Sequence, residues 1–217
     1  MFETQKNKSI KITLLGDGGT GKSSFFTRLR DYENLDYRFD KRYKTTNDFD
    51  FIRLKLKTNN GLIKVDLWDT AGQENAIGGI NRDAYIKGSD AVIIMYDITN
   101  NETIDHIQKW LNDVKETCGN IPVAVCGNKI DKYPDVSMRK CKLFRKSQLK
   151  TMYYGNSYFT TDNINNFFIS VKENTNYDLH NYNEDGTLIP FNYVLSTHLN
   201  RKTIVQFENE ELFNDDL

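Results

Sequence analysis

Three short segments of this 217-residue chain carry glycine, lysine, serine, carboxylate and amide groups at spacings that suit nucleotide chemistry. The segments are residues 16–23 (GDGGTGKS), 69–74 (DTAGQE) and 128–131 (NKID). The first offers backbone N–H groups that few side chains obstruct, the second joins a carboxylate to a glycine and a glutamine, and the third presents an amide, an ammonium and a carboxylate. Their combination predicts one site that binds phosphates, a divalent metal ion and a base.

The first segment matches the phosphate-loop pattern GxxxxGK[ST] in the context that this pattern requires. It follows a predicted strand at residues 9–15 and opens a predicted helix at residues 23–30. Its N–H groups can wrap a β-phosphate at the helix N-terminus, Lys22 can reach the β- and γ-phosphates, and the Ser23 hydroxyl can ligate Mg²⁺. The predicted nucleotide-binding residues of this loop are Asp17, Gly18, Gly19, Thr20, Gly21, Lys22, Ser23 and Ser24.

The second segment supplies groups for a metal ion and a terminal phosphate. Asp69 ends a predicted strand, so its carboxylate lies at the sheet edge and suits a direct or water-mediated Mg²⁺ contact. Gly72 can donate its N–H to a γ-phosphate because no side chain blocks the approach. Gln73 can orient an attacking water, since an amide both donates and accepts hydrogen bonds.

The third segment predicts recognition of guanine. The Asp131 carboxylate can accept from the adjacent N1–H and 2-amino groups of guanine, whereas adenine would leave it unpaired. Asn128 either braces the loop or meets the O6 and N7 atoms of the base, and the stem of Lys129 can cover the base. The three segments together therefore predict a GTP-driven switch.

The hydrophobic pattern predicts the elements that position these segments. Strands are predicted at residues 9–15, 49–56, 62–68, 91–96 and 122–126, and the second and third of them form a hairpin across an Asn-Gly turn. Residues 31–46 are predicted to form a loop. Besides residues 23–30, helices are predicted at residues 104–114 and in a last amphipathic segment marked by Ile164, Phe167, Phe168 and Val171.

This alternation predicts an α/β fold of the P-loop NTPase class. We expect a mostly parallel six-stranded sheet with one antiparallel edge hairpin and with helices on both faces. From about Asn176 the periodicity fades into sequence rich in Asn, Tyr and acidic residues. The predicted division is therefore a nucleotide-binding domain at residues 1–175 and an acidic C-terminal extension at residues 176–217.

Composition and charge exclude several classes of function. A formal net charge of −1 predicts no direct binding to nucleic acid or to an anionic membrane. The mean hydropathy is −0.64, and the sequence contains no apolar run long enough to span a bilayer. The three cysteines lack metal-ligand spacing and suggest reduced thiols. Because Phe2 stands where myristoylation needs glycine and no cysteine lies near the last residue, we expect no membrane anchor.

Over about residues 8–171 the motifs resemble the Ras superfamily of small GTPases, and within it the Ran family. The resemblance rests on residues 16–22, 68–74, 78–80 (GGI) and 121–129 (IPVAVCGNK), and on the acidic end. It implies a monomeric GTPase that binds GTP or GDP with Mg²⁺ and hydrolyses GTP slowly. It also implies an exchange factor, a GTPase-activating protein, karyopherin (importin-type) receptors that bind the GTP form, and location in nucleus and cytoplasm.

The resemblance also assigns roles to further residues. Tyr43 to Thr46 match switch I, in which Thr46, or alternatively Thr45, closes on Mg²⁺ and the γ-phosphate. Tyr43 steadies Gln73, which gives a catalytic set of Gln73, Tyr43 and Lys22 and a metal set of Ser23, Thr46 and Asp69. The Ser-Ala-Lys base loop of the family is matched to Ser157, Tyr158 and Phe159. Phe159 either stacks on the base or belongs to the core.

Two departures from the Ran pattern leave alternatives open. Residues 75–77 read Asn-Ala-Ile where Ran has Lys-Phe, and the altered base loop would suit a mimic that does not cycle between nucleotide states. A Rab- or Rho-like membrane regulator is the other alternative. The acidic residues 208–216 either pair with the basic residues 139–142 or 145–146 in one nucleotide state or remain solvated.

Overall fold

The computed structural model describes residues 9–31, 39–40, 49–59, 61–70, 82–132, 164–177, 182–183, 188–200 and 205–206. The strands are β1 Ile10–Leu15, β2 Phe49–Thr58, β3 Gly61–Thr70, β4 Ala91–Asp97, β5 Val123–Asn128, β6 Ile164–Ser170, β7 Thr175–Tyr177, β8 Tyr182–Asn183 and β9 Val205–Gln206. The helices are α1 Lys22–Arg30, α2 Arg82–Ile86, α3 Asn101–Asp105, α4 Ile107–Cys118 and α5 Leu188–His198, and a 3₁₀ turn covers Ile130–Lys132.

The strands of the described residues form one sheet in the order β8-β7-β6-β5-β4-β1-β3-β2-β9. Strands β3, β1, β4, β5 and β6 run parallel to one another, and β2 pairs with β3 as an antiparallel hairpin. These six strands confirm the predicted fold class. The short strands β7, β8 and β9 add antiparallel pairs at the two ends of the sheet.

Two hydrophobic clusters cover the two faces of the sheet. In β4, Ile93 and Met95 face a cluster that includes side chains of α1 and α5, whereas Ile94 and Tyr96 face a cluster built with α4. Every residue of β4 is buried because helices cover both faces of a central parallel strand. The carboxyl ends of β1, β4 and β5 thereby meet at one sheet edge, where the predicted motifs begin.

The predicted helix at residues 164–171 is wrong, because residues 164–170 form strand β6. This strand runs parallel to β5, with Ile164 opposite Val123. Phe168 is buried against the α4 side of the sheet, and its neighbour Phe167 packs on the α1 side. A strand with apolar residues on both faces lacks alternation, and over seven residues its pattern also fits a helix.

Within the predicted C-terminal extension, where the periodicity fades, residues 188–198 form helix α5, which was not predicted. Phe191, Val194 and Leu195 are fully buried in the cluster shared with α1. The helix is apolar around most of its circumference, so it lacks the amphipathic stripe that predicts a surface helix. The division at residue 175 stays a prediction. Among the described helices, none combines the length and the apolar content that crossing a bilayer needs.

Candidate functional site

The phosphate loop joins β1 to α1 through glycines that other residues cannot replace without strain. Gly16 has φ 129°, and a Cβ atom there would lie 2.1 Å from the carbonyl oxygen of Met95 in β4. Gly21 has φ 103°, and its Cβ would lie 2.3 Å from Nδ2 of Asn128. Helix α1 begins at Lys22, and no side chain caps its N-terminus among the described residues. Its first N–H groups therefore face the loop, as an anion site requires.

Lys22 lies under this loop with its ammonium already held by backbone oxygens. Nζ donates to the carbonyl oxygens of Gly16 at 2.7 Å and Asp17 at 2.9 Å. Burial lowers the pKa of Lys22 to about 8, although the carboxylates of Asp69 and Asp17 act in the opposite direction. A phosphate in the loop would supply further negative charge beside this ammonium and favour its charged form.

Asp69 and Ser23, the two described residues of the predicted metal set, lie in contact with each other. Asp69 is only 2% exposed, and the Ser23 hydroxyl donates a hydrogen bond to its carboxylate. Burial raises the pKa of Asp69 to about 6, against the effect of Ser23 and Lys22. Its Oδ1 atom has no hydrogen-bond partner among the described residues. A buried acceptor without a partner beside a hydroxyl fits Mg²⁺, which prefers oxygen ligands and neutralises the carboxylate.

Strand register explains why Asp69 reaches the phosphate loop. The parallel pairing of β1 and β3 places Leu14 beside Asp69, two residues before Gly16. The next residue, Thr70, donates from Oγ1 to the carbonyl oxygen of Leu14 at 2.7 Å. This buried hydrogen bond fixes the end of β3 against the end of β1, and so fixes the distance between the carboxylate and the loop.

In the absence of Mg²⁺ and nucleotide, we expect the free energy of unfolding to decrease as pH rises from about 4 to about 6, because of Asp69. Its pKa is about 6 in the folded state against 3.8 when unperturbed. The folded state therefore binds the extra proton in this window, and stability is lost as pH rises, by up to about 3 kcal/mol. Denaturant unfolding measured at several pH values should show this decrease in wild type and not in Asp69→Asn.

Asp66→Asn is the matched control for this pH prediction. The Arg53 guanidinium, together with Ser9, lowers the pKa of Asp66, so its contribution to stability rises with pH instead. In Mg²⁺, wild type should lose the slope because the metal takes the place of the proton. Identical pH profiles for wild type and Asp69→Asn without metal would contradict this account of the site.

Asp17 anchors the phosphate loop from outside, which the sequence did not predict. Its Oδ1 accepts from Nε1 of Trp110 at 3.0 Å, and its Oδ2 lies 2.6 Å from Nδ1 of His106. His106 lies between α3 and α4, and Trp110 lies one turn into α4. The side chain of Asp17 is therefore occupied by protein, which leaves its backbone N–H for a phosphate.

Asn128 connects the phosphate loop to the base-binding side. Its Nδ2 donates to the carbonyl oxygen of Thr20 at 2.9 Å. Its Oδ1 accepts from the N–H groups of Lys129 at 2.8 Å and Val171 at 3.0 Å. The side chain is 4% exposed, and both of its ends are bonded to protein. Of the two roles left open for Asn128, the geometry favours bracing of the loops.

An ion pair holds Lys129 in place. The backbone at Lys129 has φ 71°, and its Nζ donates to Oδ2 of Asp97 at 2.6 Å. The other oxygen of Asp97 accepts from the N–H of Thr99 at 2.9 Å and its hydroxyl at 2.7 Å. Burial opposes ionisation of Asp97, but these hydrogen bonds outweigh it and lower the pKa of the carboxyl. The stem of Lys129 is thereby stretched across the edge of the site, where it can cover a base.

Asp131 contacts the segment at the end of β6, a part of the chain for which a helix was predicted. Its Oδ1 accepts from the hydroxyl of Ser170 at 2.6 Å, and its Oδ2 lies 3.7 Å from Nζ of Lys172. Ser170 is fully buried at the end of β6 and also accepts from the N–H of Glu173 at 3.1 Å. Val171, which lies between Ser170 and Lys172, contacts Asn128 as described above. The base loop beside Asp131 is therefore formed by residues 170–172.

The segment that contacts Asp131 differs from the predicted base loop of Ser157, Tyr158 and Phe159. Those three residues lie outside the described part of the chain, whereas Ser170, Val171 and Lys172 reach Asp131 and Asn128. Ser-Val-Lys differs from the expected Ser-Ala-Lys by one apolar residue, and this signal was present in the sequence. It was missed because residues 164–171 were interpreted as a helix.

Several predicted site residues fall outside the described residues. They are Tyr43, Thr45, Thr46, Gly72 and Gln73, together with the basic residues 139–146 proposed to meet the acidic tail. Their predicted roles stay predictions. Among the described residues, the structure brings Lys22, Ser23 and Asp69 together at one end of the site. It brings Asn128 and Asp131 together with residues 170–172 at the other end.

A comparison with known protein families finds a match that covers most of this chain. The family model described as the Ras family matches residues 11–177, which is more than half of the sequence. The match begins in β1 and ends with β7, so it includes the phosphate loop, Asp69, Asp131 and the base loop at residues 170–172.

Proposed function

Because this chain belongs to the Ras family of small GTPases, we propose that it is a Ran-like switch that binds nuclear transport receptors in its GTP form. Membership of the family makes it a GTP- and GDP-binding switch of the kind that exchange factors and GTPase-activating proteins regulate. The proposal adds that the receptors belong to the karyopherin class, that intrinsic GTP hydrolysis is slow, and that the protein is located in both nucleus and cytoplasm.

The observation that carries the nucleotide part of this proposal is the connection that Asn128 makes. One buried amide joins the carbonyl of Thr20 in the phosphate loop to the N–H of Val171 in the base loop. The phosphate-binding and base-binding halves are therefore held in fixed relation by a single side chain. A ligand that spans both halves needs phosphates at one end and a base with two adjacent donors at the other, as GTP and GDP have.

Each residue then has a role in binding or hydrolysis. Lys22 would bind the β- and γ-phosphates, and Ser23 and Asp69 would hold Mg²⁺, which supplies positive charge to offset that of the phosphates. In the proposed mechanism Thr46 joins the metal site in the GTP form. Gln73 orients the attacking water, and Tyr43 steadies Gln73. No covalent intermediate is needed, because phosphoryl transfer depends mainly on positioning and electrostatic stabilisation.

The Ran-like part of the proposal is supported by the residues that occur in and beside the common motifs. Residues 16–22, 78–80 and 121–129 carry the Ran-like pattern. The reason to consider a mimic that does not cycle was an altered base loop. The contacts of Ser170 and Lys172 with Asp131 weaken that reason, because these residues have the expected types at this position.

Two measurements on one protein preparation test the proposed function. Nucleotide released from the purified protein should be GDP or GTP, and ATP should not compete with GTP for the site. An importin-type receptor should then be captured by protein loaded with a non-hydrolysable GTP analogue and not by protein loaded with GDP. Equal capture in both forms would contradict the Ran-like role but leave the nucleotide site intact. Equal competition by ATP would contradict the nucleotide assignment itself.

We expect Gln73→Leu to abolish stimulated hydrolysis while leaving nucleotide binding nearly unchanged. Gln73 acts on the attacking water, so its loss lowers the rate and not the affinity for the ground state. Intrinsic turnover should be on the order of 10⁻⁴ to 10⁻³ per second, and stimulation by a Ran-type activating protein should fall by roughly 10³-fold or more. Single-turnover hydrolysis with and without that activator measures both values.

Gln108→Leu provides a control with the same chemical change. Gln108 donates to Asn112 on the exposed side of α4, outside the site described above. This variant should hydrolyse GTP like wild type. If Gln73→Leu behaved in the same way, Gln73 would not be the residue that positions the water.

A further inference from the structure

The junction between helices α3 and α4 contacts the phosphate loop as well as the core of the fold. His106, the residue between the two helices, lies 2.6 Å through Nδ1 from Oδ2 of Asp17, and Trp110 donates from Nε1 to Oδ1 at 3.0 Å. Both carboxylate oxygens of Asp17 are therefore held by this junction. The side chain of Asp17 is only 15% exposed and Trp110 only 3%, so water competes little for these hydrogen bonds.

The backbone of Asp17 connects these contacts to the groups that bind phosphate. Its carbonyl oxygen accepts from Nζ of Lys22 at 2.9 Å and from the hydroxyl of Thr20 at 2.8 Å. A rotation of the Asp17 peptide would therefore move the Lys22 ammonium and would reorient the N–H groups of the loop. The side-chain contacts of Asp17 thus determine the orientation of the peptide that holds Lys22.

The junction is itself held against the sheet. Thr103 of α3 accepts from the N–H of Asp97, at the end of β4, at 3.0 Å. In α4, Ile107 and Leu111 are each 1% exposed and belong to the cluster that covers β4 and β5. An anchor on packed helices positions a side chain more precisely than an anchor on a loop. The α3–α4 junction is therefore suited to fix Asp17.

Of the two residues that hold Asp17, only the histidine changes its charge near neutral pH. The carboxylate accepts from Nδ1–H of the neutral ring, and protonation of the ring adds a charge–charge attraction to this hydrogen bond. On the two helices, Glu102 lies one turn before His106 and Lys109 one turn after it, with charges of opposite sign. From the phosphate loop, the carboxylate of Asp17 faces the ring directly and decides the effect of the added charge.

We propose that His106 and Trp110 are positioning residues of the nucleotide site, which slow the release of nucleotide by holding the phosphate loop through Asp17, and that the charge of His106 adjusts this rate. The inference rests on the proposed function, because it assigns a regulation to the same site. With the ring protonated, the ion pair to Asp17 holds the loop more strongly. As pH rises and the ring loses its proton, this attraction is lost and nucleotide leaves faster.

Release of fluorescently labelled GDP, in Mg²⁺ and an excess of unlabelled GDP, tests this proposal between about pH 5.5 and about pH 8, the range in which histidine titrates. His106→Ala removes the contact to Asp17, whereas His106→Asn keeps an N–H donor near the place of Nδ1 and cannot gain a proton. Trp110→Phe keeps an aromatic ring and removes the N–H donor. His198→Asn is the matched control, because His198 is exposed at the end of α5.

In wild type the release rate should rise roughly threefold across this pH range, the effect of one partly exposed ion pair. At neutral pH, His106→Ala and Trp110→Phe should each release GDP about tenfold faster, the effect of one hydrogen bond to a charged group. His106→Asn should release GDP at the rate of wild type with a neutral ring and should lose the pH dependence. His198→Asn should behave like wild type. Other titrating groups of the site are present in all variants, so their effect is common to all.

Two results would overturn the proposal. Wild-type release rates in both His106→Ala and Trp110→Phe would show that the junction does not hold the phosphate loop. An unchanged pH dependence in His106→Asn, or its loss in His198→Asn, would show that the charge of His106 does not set the rate. Both results are obtained with protein that has bound GDP, whereas a protein that binds no guanine nucleotide would contradict the proposed function instead.

Discussion

Asp131→Asn should change the base preference of the protein from guanine to xanthine. The carboxylate accepts from two adjacent donors of guanine, and an amide in its place turns one of these acceptors into a donor. Xanthine carries an oxygen where guanine carries the 2-amino group, so it matches the amide. We expect GDP affinity to fall by roughly 10³-fold or more, because buried polar groups would be left unpaired. Competition between labelled GDP and XDP measures the change.

Ser170→Ala separates base recognition from positioning. The hydroxyl of Ser170 donates to Oδ1 of Asp131 at 2.6 Å, and its removal takes away one hydrogen bond that orients the carboxylate. This variant should bind GDP about tenfold more weakly, the effect of one charge-assisted hydrogen bond, with no gain in XDP affinity. If Asp131→Asn and Ser170→Ala weakened GDP and XDP alike, Asp131 would not be the group that reads the base.

The parts of the site that the sequence predicts are those whose chemistry is local. In the phosphate loop, the glycines, Lys22 and Ser23 act through spacing along a few residues, and the strand before them fixes where the loop lies. Asp69 was predicted correctly at the end of β3, because an alternating strand after an Asn-Gly turn can be read without tertiary information. The parallel sheet then brings these ends together, as the alternation of elements indicated.

The errors concern segments whose burial depends on distant elements. Strand β6 has apolar residues on both faces because α5 and α4 cover opposite sides of the sheet there, and its sequence alone does not separate strand from helix. Missing β6 moved the base loop away from Ser170. Helix α5 was missed for the same reason, since a helix buried on most sides carries no amphipathic stripe.

The contacts that anchor the side chain of Asp17 could not be predicted from the sequence either. His106 and Trp110 lie 89 and 93 residues after Asp17, and no local pattern joins them. Trp110 belongs to the hydrophobic cluster beside α4. It is buried, but its indole N–H also bonds the loop. A buried tryptophan needs a partner for this N–H, which is a reason to search for an acceptor even when the ring belongs to the core.

Gly21→Ala should weaken nucleotide binding through a defined clash. The added Cβ would lie 2.3 Å from Nδ2 of Asn128, whose amide holds the carbonyl of Thr20 at 2.9 Å. The side chain of Asn128 would have to move, and the connection between the two halves of the site would be lost. We expect a loss of about 2–3 kcal/mol in nucleotide binding from the clash and the broken hydrogen bond, or roughly 30- to 150-fold in affinity.

Gly61→Ala is the control that isolates the clash from backbone strain. Gly61 has φ 100°, close to the 103° of Gly21, but a Cβ there meets nothing within 4 Å. Both variants should lose about 1–2 kcal/mol of stability from the left-handed backbone. Gly21→Ala should lose more when unfolding is measured without nucleotide, because its clash also breaks a buried hydrogen bond. Only Gly21→Ala should release labelled GDP faster, because only that residue lies against Asn128. Equal GDP release from the two variants would mean that strain, and not the connection through Asn128, controls nucleotide retention.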